Sequence, residues 1–108
     1  MIFGSKNEAG FLKWKWIQSL PIGTHFVTRR MKPREVGKII AIQPNRAKKG
    51  VCKAEVISCV KHIHSATADL GSEARLENFL TFEGLVNYFR LRKEDINDSF
   101  RIELKKVV

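Results

Sequence analysis

Apolar residues recur at helical spacing in two parts of the chain. The first set consists of Phe11, Leu12, Trp14, Ile17 and Leu20. Pro21 follows this set, which predicts that a helix ends there. In the second part Thr81 has a side chain suited to an N-cap. The apolar residues that follow it on one helical face are Phe82, Leu85, Val86 and Phe89.

Four further segments have the composition and alternation of β-strands, namely 24–30, 36–43, 51–63 and 100–104. Segment 36–43 contains four apolar residues in a row between a glycine and a proline, which is typical of a buried strand. Residues 1–9 are predicted as a strand fragment or a loose arm. Residues 65–76 have no clear pattern and are predicted as a connection.

The predicted order of elements is a helix, three strands, a helix and a strand. This order indicates an α+β fold with a mixed or antiparallel sheet, or a small barrel. The chain has 108 residues and shows neither an internal repeat nor a low-complexity linker. We therefore expect one domain over residues 1–108.

Positive charge is the strongest feature of the composition. The chain has 20 Lys and Arg against 11 Asp and Glu, a formal charge of +9. Residues 1–61 hold thirteen of the basic and three of the acidic residues, a balance of +10, whereas residues 62–108 have a balance of −1. This clustering favours a polyanionic partner, which we expect to be RNA or single-stranded DNA. The alternatives are a basic surface that only aids solubility and an adaptor that docks an acidic protein.

Three basic segments could contact the nucleic acid. In the segment around Trp16, lysines alternate with tryptophans, and bases can stack on aromatic rings while lysines neutralise phosphates. The other two segments are a cluster of four cations and a basic turn, each of which could instead be a solvated loop. We expect Trp14 to lie in the core and Trp16 to be partly exposed. The predicted contacts are Lys13, Lys15, Trp16, Arg29, Arg30, Lys32, Arg34, Arg46, Lys48 and Lys49.

No cofactor or metal is expected. The two cysteines, Cys52 and Cys59, do not form a disulfide framework, and with His62 and His64 their spacing matches no usual zinc site. Small core residues are the more common role for such cysteines. The sequence shows no signal peptide and no run of about 18 apolar residues that could span a membrane. Free thiols then favour a cytoplasmic protein.

Three short segments, in this order, resemble the ASCH family, which has a small PUA-like β-barrel fold. The strand 23–30 is similar to a family strand at Gly23, Thr28 and Arg30. Segment 36–40 looks like the family's Val-Gly-Asp and following strand, although Lys38 replaces the Asp. Segment 77–79 looks like the family's Glu-Gly-Phe before the last helix. The resemblance implies a small PUA-like barrel or a strongly bent mixed sheet with flanking helices.

Some members of this family are amidohydrolases that act on N4-acetylcytidine, and others are proposed to bind RNA. The resemblance implies His25, Thr28 and Glu77 as the catalytic set of such a hydrolase, with His25 where the family has a Lys. Side chains alternate along a strand, so His25 and Thr28 are expected on opposite faces. We therefore favour nucleic-acid binding, keep hydrolysis of a modified nucleoside or of RNA as the alternative, and expect slow amidase activity at most.

Overall fold

Four antiparallel strands form the centre of the fold in a computed structural model that describes residues 1–61 and 70–108. The strands are β1 (His25–Arg30), β2 (Ile39–Ile42), β3 (Cys52–Lys61) and β4 (Phe100–Lys106). The helices are α1 (Lys13–Ser19), α2 (Leu70–Arg75) and α3 (Phe82–Leu91), and a 3₁₀ turn follows at Ile96–Asp98. None of the helices in the described ranges has the length and apolar character needed to cross a membrane.

The order of the strands in the sheet is β1-β4-β3-β2. The last strand of the chain is therefore central, with Phe26 of β1 opposite Leu104 and Val56 of β3 opposite the same residue. The register shifts between Val56 and Ser58, where β3 has an irregularity. The α+β class is thus confirmed. Over the described ranges the sheet is open at β1 and β2 and is not closed into a barrel.

Strand β2 differs from its prediction in length and in burial. We predicted a buried strand over 36–43, but β2 covers Ile39–Ile42 and Ile39 is 53% exposed. The reason is its position, because β2 pairs with β3 alone and forms an edge of the sheet. The predicted arm at residues 1–9 covers part of this edge, since Phe3 N donates to Gln43 O at 2.8 Å. Phe3 itself is buried in the core.

The apolar core has two parts. Ile17, Phe3 and the inward residues of the four strands form the first, and α2, α3 and the 3₁₀ turn supply the second. Among the strand and helix residues of these two parts, Ile42, Val56 and Phe89 are buried, whereas Ile40 is half-buried.

Helix α1 is confirmed but buries a different set of residues from the one we expected. We predicted Trp14 in the core, yet Trp14 and Trp16 are both half-buried, and the buried residues of α1 are Lys13 and Ile17. These two residues are four apart, so they lie on the same face of the helix.

Helix α2 was not predicted, because residues 65–76 lack an apolar period long enough to indicate a helix. Only Ala74 of its six residues is buried. Helix α3 is confirmed together with its cap, since the Thr81 hydroxyl accepts a hydrogen bond from Gly84 N. The end of the predicted strand 51–63 and the first part of the predicted connection 65–76 lie outside the described residues.

Candidate functional site

A cavity of about 520 Å³ lies between the N-terminal segment, β1 and α3. The charged side chains that line it are Lys13, Arg29, Arg30, Arg46, Arg92, Glu77 and Glu94. Five of these seven are cations, so the lining carries a positive surplus. The volume is within the range of small-molecule sites in proteins.

Lys13 lies at the base of the cavity, at the first residue of α1. Its side chain is 5% exposed, and its Nζ donates a hydrogen bond to Val27 O at 3.0 Å. The same Nζ lies 3.8 Å from Oε2 of Glu77. Burial lowers the pKa of Lys13 to about 8, an effect that the Glu77 carboxylate partly opposes and that Arg30 and Arg29 reinforce. A considerable fraction of this amine is therefore neutral at mildly alkaline pH.

Glu77 is held next to β1 by the turn that follows α2. Its backbone N donates to Ala74 O, and Asn78 after it has a φ of 70°, a conformation that Asn adopts more readily than most residues. The turn is tied to β1 because Val27 N donates to Leu76 O at 2.9 Å. Glu77 is consequently 3% exposed.

Arg29 connects Glu77 to a second carboxylate. Its Nη1 donates to Oε1 of Glu77, and its Nη2 donates to Oε1 of Glu73 at 2.9 Å. Arg101 of β4 also binds Glu73, with its Nε 2.7 Å from Oε1. This hydrogen bond to Arg101 leads the effects that hold the pKa of Glu73 below its ordinary value. Arg29 is thus bound by two carboxylates and forms part of the cavity wall.

Arg30 has a different environment. Its Nε donates to Thr28 Oγ1 at 3.1 Å, and its Nη2 donates to Ile2 O at 2.6 Å. The guanidinium lies 4.7 Å from the centre of the Phe3 ring. Burial lowers the pKa of Arg30. Among the residues that the structure describes, no carboxylate forms a salt bridge with this cation.

An aromatic ring and two exposed arginines complete the cavity wall. Tyr88 of α3 lies 5.6 Å from the Phe79 ring, measured between ring centres. The guanidinium of Arg92 lies over Tyr88 at 5.6 Å, and its Nε donates to Glu94 Oε1 at 2.7 Å. Arg46 reaches the cavity from the turn between β2 and β3, where it is exposed.

The catalytic set implied by the resemblance is only partly brought together. Thr28 and Glu77 both line the cavity, but His25 does not. His25 is exposed at the start of β1, where its Nδ1 lies 2.8 Å from Glu103 Oε2. Because side chains alternate along the strand, His25 and Thr28 lie on opposite faces. Lys13, from another element, supplies the amine that the cavity contains.

The ten predicted nucleic-acid contacts divide into two groups. Those that line the cavity are Lys13, Arg29, Arg30 and Arg46. Those outside its lining are Lys15, Trp16, Lys32, Arg34, Lys48 and Lys49. Trp16 is half-buried and packs edge-on against Phe26 at 6.2 Å between ring centres, so part of its ring is in contact with the core. The four lysines of this group are exposed.

Sequence reasoning missed several residues of the site. Tyr88, Arg92 and Glu94 were not singled out, since nothing in their spacing sets them apart from an ordinary helix end. For Lys13 a signal did exist, because it stands four residues before Ile17 on the apolar face of a predicted helix. A lysine at such a position has to be buried or has to extend its amine to a polar site.

The alternative of a zinc site gains no support from the described residues. Within 1–61 and 70–108 no group of His, Cys, Asp and Glu side chains could hold a metal ion. Cys52 is buried and Cys59 is half-buried, and both are free thiols. His62 and His64 lie outside the described residues.

No protein-family model, curated protein or solved structure matches this chain. The cavity lining itself offers a buried amine, a hydroxyl, two carboxylates and a surplus of guanidinium groups.

Proposed function

We propose that this protein is an ASCH-like module that binds RNA or single-stranded DNA, and that one nucleotide of the strand enters the cavity. The observation that carries the proposal is the positive surplus of the cavity lining, five cations against two carboxylates. Arg30 and Arg46 contribute most to it, because none of the salt bridges in the described ranges involves either guanidinium. A phosphate would supply the missing negative charge, and arginine binds phosphate through two parallel hydrogen bonds.

The size and the walls of the cavity support the same ligand. A volume of about 520 Å³ can hold a nucleotide. Tyr88 offers an aromatic ring at the wall, and stacking of bases on such rings is the usual means of binding single strands. Arg46, together with Lys48 and Lys49 of the same turn, would bind the phosphates on either side. The two free thiols favour the cytosol as the place of this activity.

Fluorescence anisotropy with a labelled single-stranded oligonucleotide tests the proposal. Affinity should fall steeply with salt, with a slope of log K against log salt of about −0.7 for each phosphate contacted. Arg46→Ala should weaken binding, since Arg46 lines the cavity. Arg75→Ala, which removes an exposed arginine outside the cavity lining, should leave binding unchanged. Absence of binding at low salt, or equal effects of the two variants, would contradict the proposal.

The second candidate is hydrolysis of an amide on a modified nucleoside, and one observation favours it. Lys13, Thr28 and Glu77 all line the same cavity, so an amine, a hydroxyl and a carboxylate face one space. A hydroxyl needs a neighbouring base to become a nucleophile, and a partly neutral lysine can serve as that base. We expected slow amidase activity because His25 replaces the family's Lys and lies on the opposite face of the strand from Thr28. The presence of Lys13 in the cavity lining weakens both reasons. The test is release of cytidine from N4-acetylcytidine, followed by chromatography.

A further inference from the structure

Lys13 combines burial with a place in the cavity lining. Its side chain is 5% exposed, and the residue lines a space of about 520 Å³. Burial disfavours the charged form of this lysine, an effect that Glu77 opposes only in part. Such a position suits a lysine that acts as a nucleophile, because only the neutral amine has a lone pair.

We propose that Lys13 forms a covalent imine with the aldehyde of an abasic nucleotide that enters the cavity from a single-stranded nucleic acid. This inference rests on the proposed nucleic-acid binding and adds a substrate class and a reaction to it. An abasic nucleotide in its ring-opened form carries an aldehyde at C1′ and has a phosphate on either side. The cationic lining suits the phosphates, and the missing base leaves room for the sugar to reach Lys13.

The contacts of Lys13 leave its lone pair available. A neutral amine has two N–H groups and one lone pair, and one N–H is used by Val27 O at 3.0 Å. With a pKa of about 8, roughly half of the Lys13 side chains carry the lone pair at pH 8. The carboxylate of Glu77, with its Oε2 3.8 Å from Nζ, is close enough to exchange protons with the nitrogen after a small movement.

The reaction balances without a further reactant. The lone pair of Nζ attacks the aldehyde carbon, and the electrons of the C=O bond move to the oxygen, which takes up a proton from solvent water. The nitrogen gives one proton to Glu77. Glu77 then returns it to the hydroxyl, which leaves as water while the nitrogen lone pair forms the C=N bond. The C=N bond forms first as a protonated imine, whose remaining N–H proton returns to solvent, so that no net proton is consumed. One water is released for each imine, and nothing is oxidised or reduced.

Reductive trapping tests this inference on the full chain. The protein is incubated with cyanoborohydride and a labelled single-stranded oligonucleotide that contains one abasic site, made by excision of uracil. The matched controls are the same oligonucleotide with a tetrahydrofuran in place of the abasic sugar, which has no aldehyde, and the intact oligonucleotide. On a denaturing gel we expect a covalent complex of the protein with the abasic strand and none with either control strand. Peptide mapping by mass spectrometry should place the adduct on Lys13.

Two variants separate Lys13 from a general effect of lysines. Lys13→Met should reduce the covalent complex to the level seen with the intact strand, whereas Lys53→Met, which removes an exposed lysine of β3 that is not among the predicted contacts, should leave it unchanged. If Lys13→Met does not fold, the mapping on the unaltered protein still decides the matter. An adduct that maps to other lysines would overturn the inference.

Binding of an oligonucleotide without formation of a covalent adduct would exclude the imine and leave the proposed nucleic-acid binding intact. If the tetrahydrofuran strand binds in the anisotropy assay and no adduct forms with the abasic strand, the imine is excluded and the binding proposal stands. If neither strand binds and no adduct forms, both proposals are overturned.

Discussion

Nζ of Lys13 lies 3.8 Å from Oε2 of Glu77, and both side chains are buried although they come from α1 and from the turn after α2. Arg29 of β1 binds the other oxygen of the same carboxylate. A single carboxylate thus joins three parts of the chain at the base of the cavity. The cavity and the stability of the fold therefore depend on the same residue.

Replacement of Glu77 should destabilise the protein. Glu77→Gln keeps the size of the side chain but leaves the buried charges of Lys13 and Arg29 less compensated. We expect the free energy of unfolding, measured with urea, to fall by about 3 kcal/mol, the scale for removal of one partner of a buried ion pair. The matched control is Glu83→Gln on the exposed side of α3, which should change it little. A similarly small change for Glu77→Gln would show that the pair does not stabilise the fold.

The pH dependence of stability should report the environment of Lys13. The pKa of Lys13 falls from 10.5 to about 8 in the folded chain, because burial disfavours its charge. Between these two values the unfolded state binds more protons than the folded state. The contribution of Lys13 to stability therefore rises with pH across this window and is constant outside it. Relative to the Lys13→Met variant, the unaltered protein should gain stability as the pH increases from about 8 towards 10.5. A constant difference between the two proteins would mean that Lys13 titrates normally.

Arg30 should be important for binding. Arg30→Ala removes a half-buried cation that forms no salt bridge within the described ranges, and we expect oligonucleotide binding to weaken by about 1 kcal/mol or more, the scale of a charge-assisted contact. Anisotropy titration at fixed salt measures the effect, with Arg75→Ala as control. Because Arg30 also donates to Thr28 and Ile2, circular dichroism should verify that the variant is folded. Unchanged affinity in a folded variant would argue against a phosphate at this position.

His25 should be dispensable, because it lies outside the cavity lining. We expect His25→Ala to retain the oligonucleotide affinity of the unaltered protein and whatever rate of cytidine release from N4-acetylcytidine that protein has. Thr28→Val, which removes a hydroxyl from the cavity at nearly constant size, should abolish any such release. Loss of activity in His25→Ala alone would instead favour the catalytic set implied by the family resemblance.

Glu8 should stabilise the start of α3. Its carboxylate accepts hydrogen bonds from Leu80 N and Thr81 N at 3.0 and 2.9 Å. Burial raises the pKa of Glu8, but these hydrogen bonds outweigh that effect and leave the pKa below its ordinary value. We expect Glu8→Ala to lower the free energy of unfolding at neutral pH by about 1 kcal/mol, as for the loss of a helix cap.

The effect of Glu8→Ala should diminish in acid. A carboxylate with a lowered pKa stabilises the fold above its ordinary pKa of 4.5 and loses that contribution as the pH falls below it. Urea unfolding of both proteins at neutral and at acid pH measures this change. A difference that persisted in acid would point to lost packing rather than to the hydrogen bonds.

The periodicity of the sequence determined most of the elements. An element that buries one face has apolar side chains at a period of 3.6 residues in a helix and 2 residues in a strand. This period is visible in the sequence, and it predicted α1, α3, β1, β3 and β4. Helix α2 was not predicted, because its six residues include only one buried side chain and so show no repeat of apolar residues. Two residues that the family resemblance implied, Thr28 and Glu77, line the same cavity.

Only the tertiary structure decided which residues meet. The sequence places His25 and Thr28 close together in β1, but the alternation of the strand separates them. It places Lys13 far from Glu77, but the packing of α1 and of the turn after α2 against β1 brings them to one cavity. Likewise β2 has the apolar run of a central strand, yet the last strand of the chain takes the central place. The local pattern of apolar residues indicates which face of an element is buried. Which elements pack against each other depends on the strand order and on contacts between distant segments, and a local pattern carries no information about either.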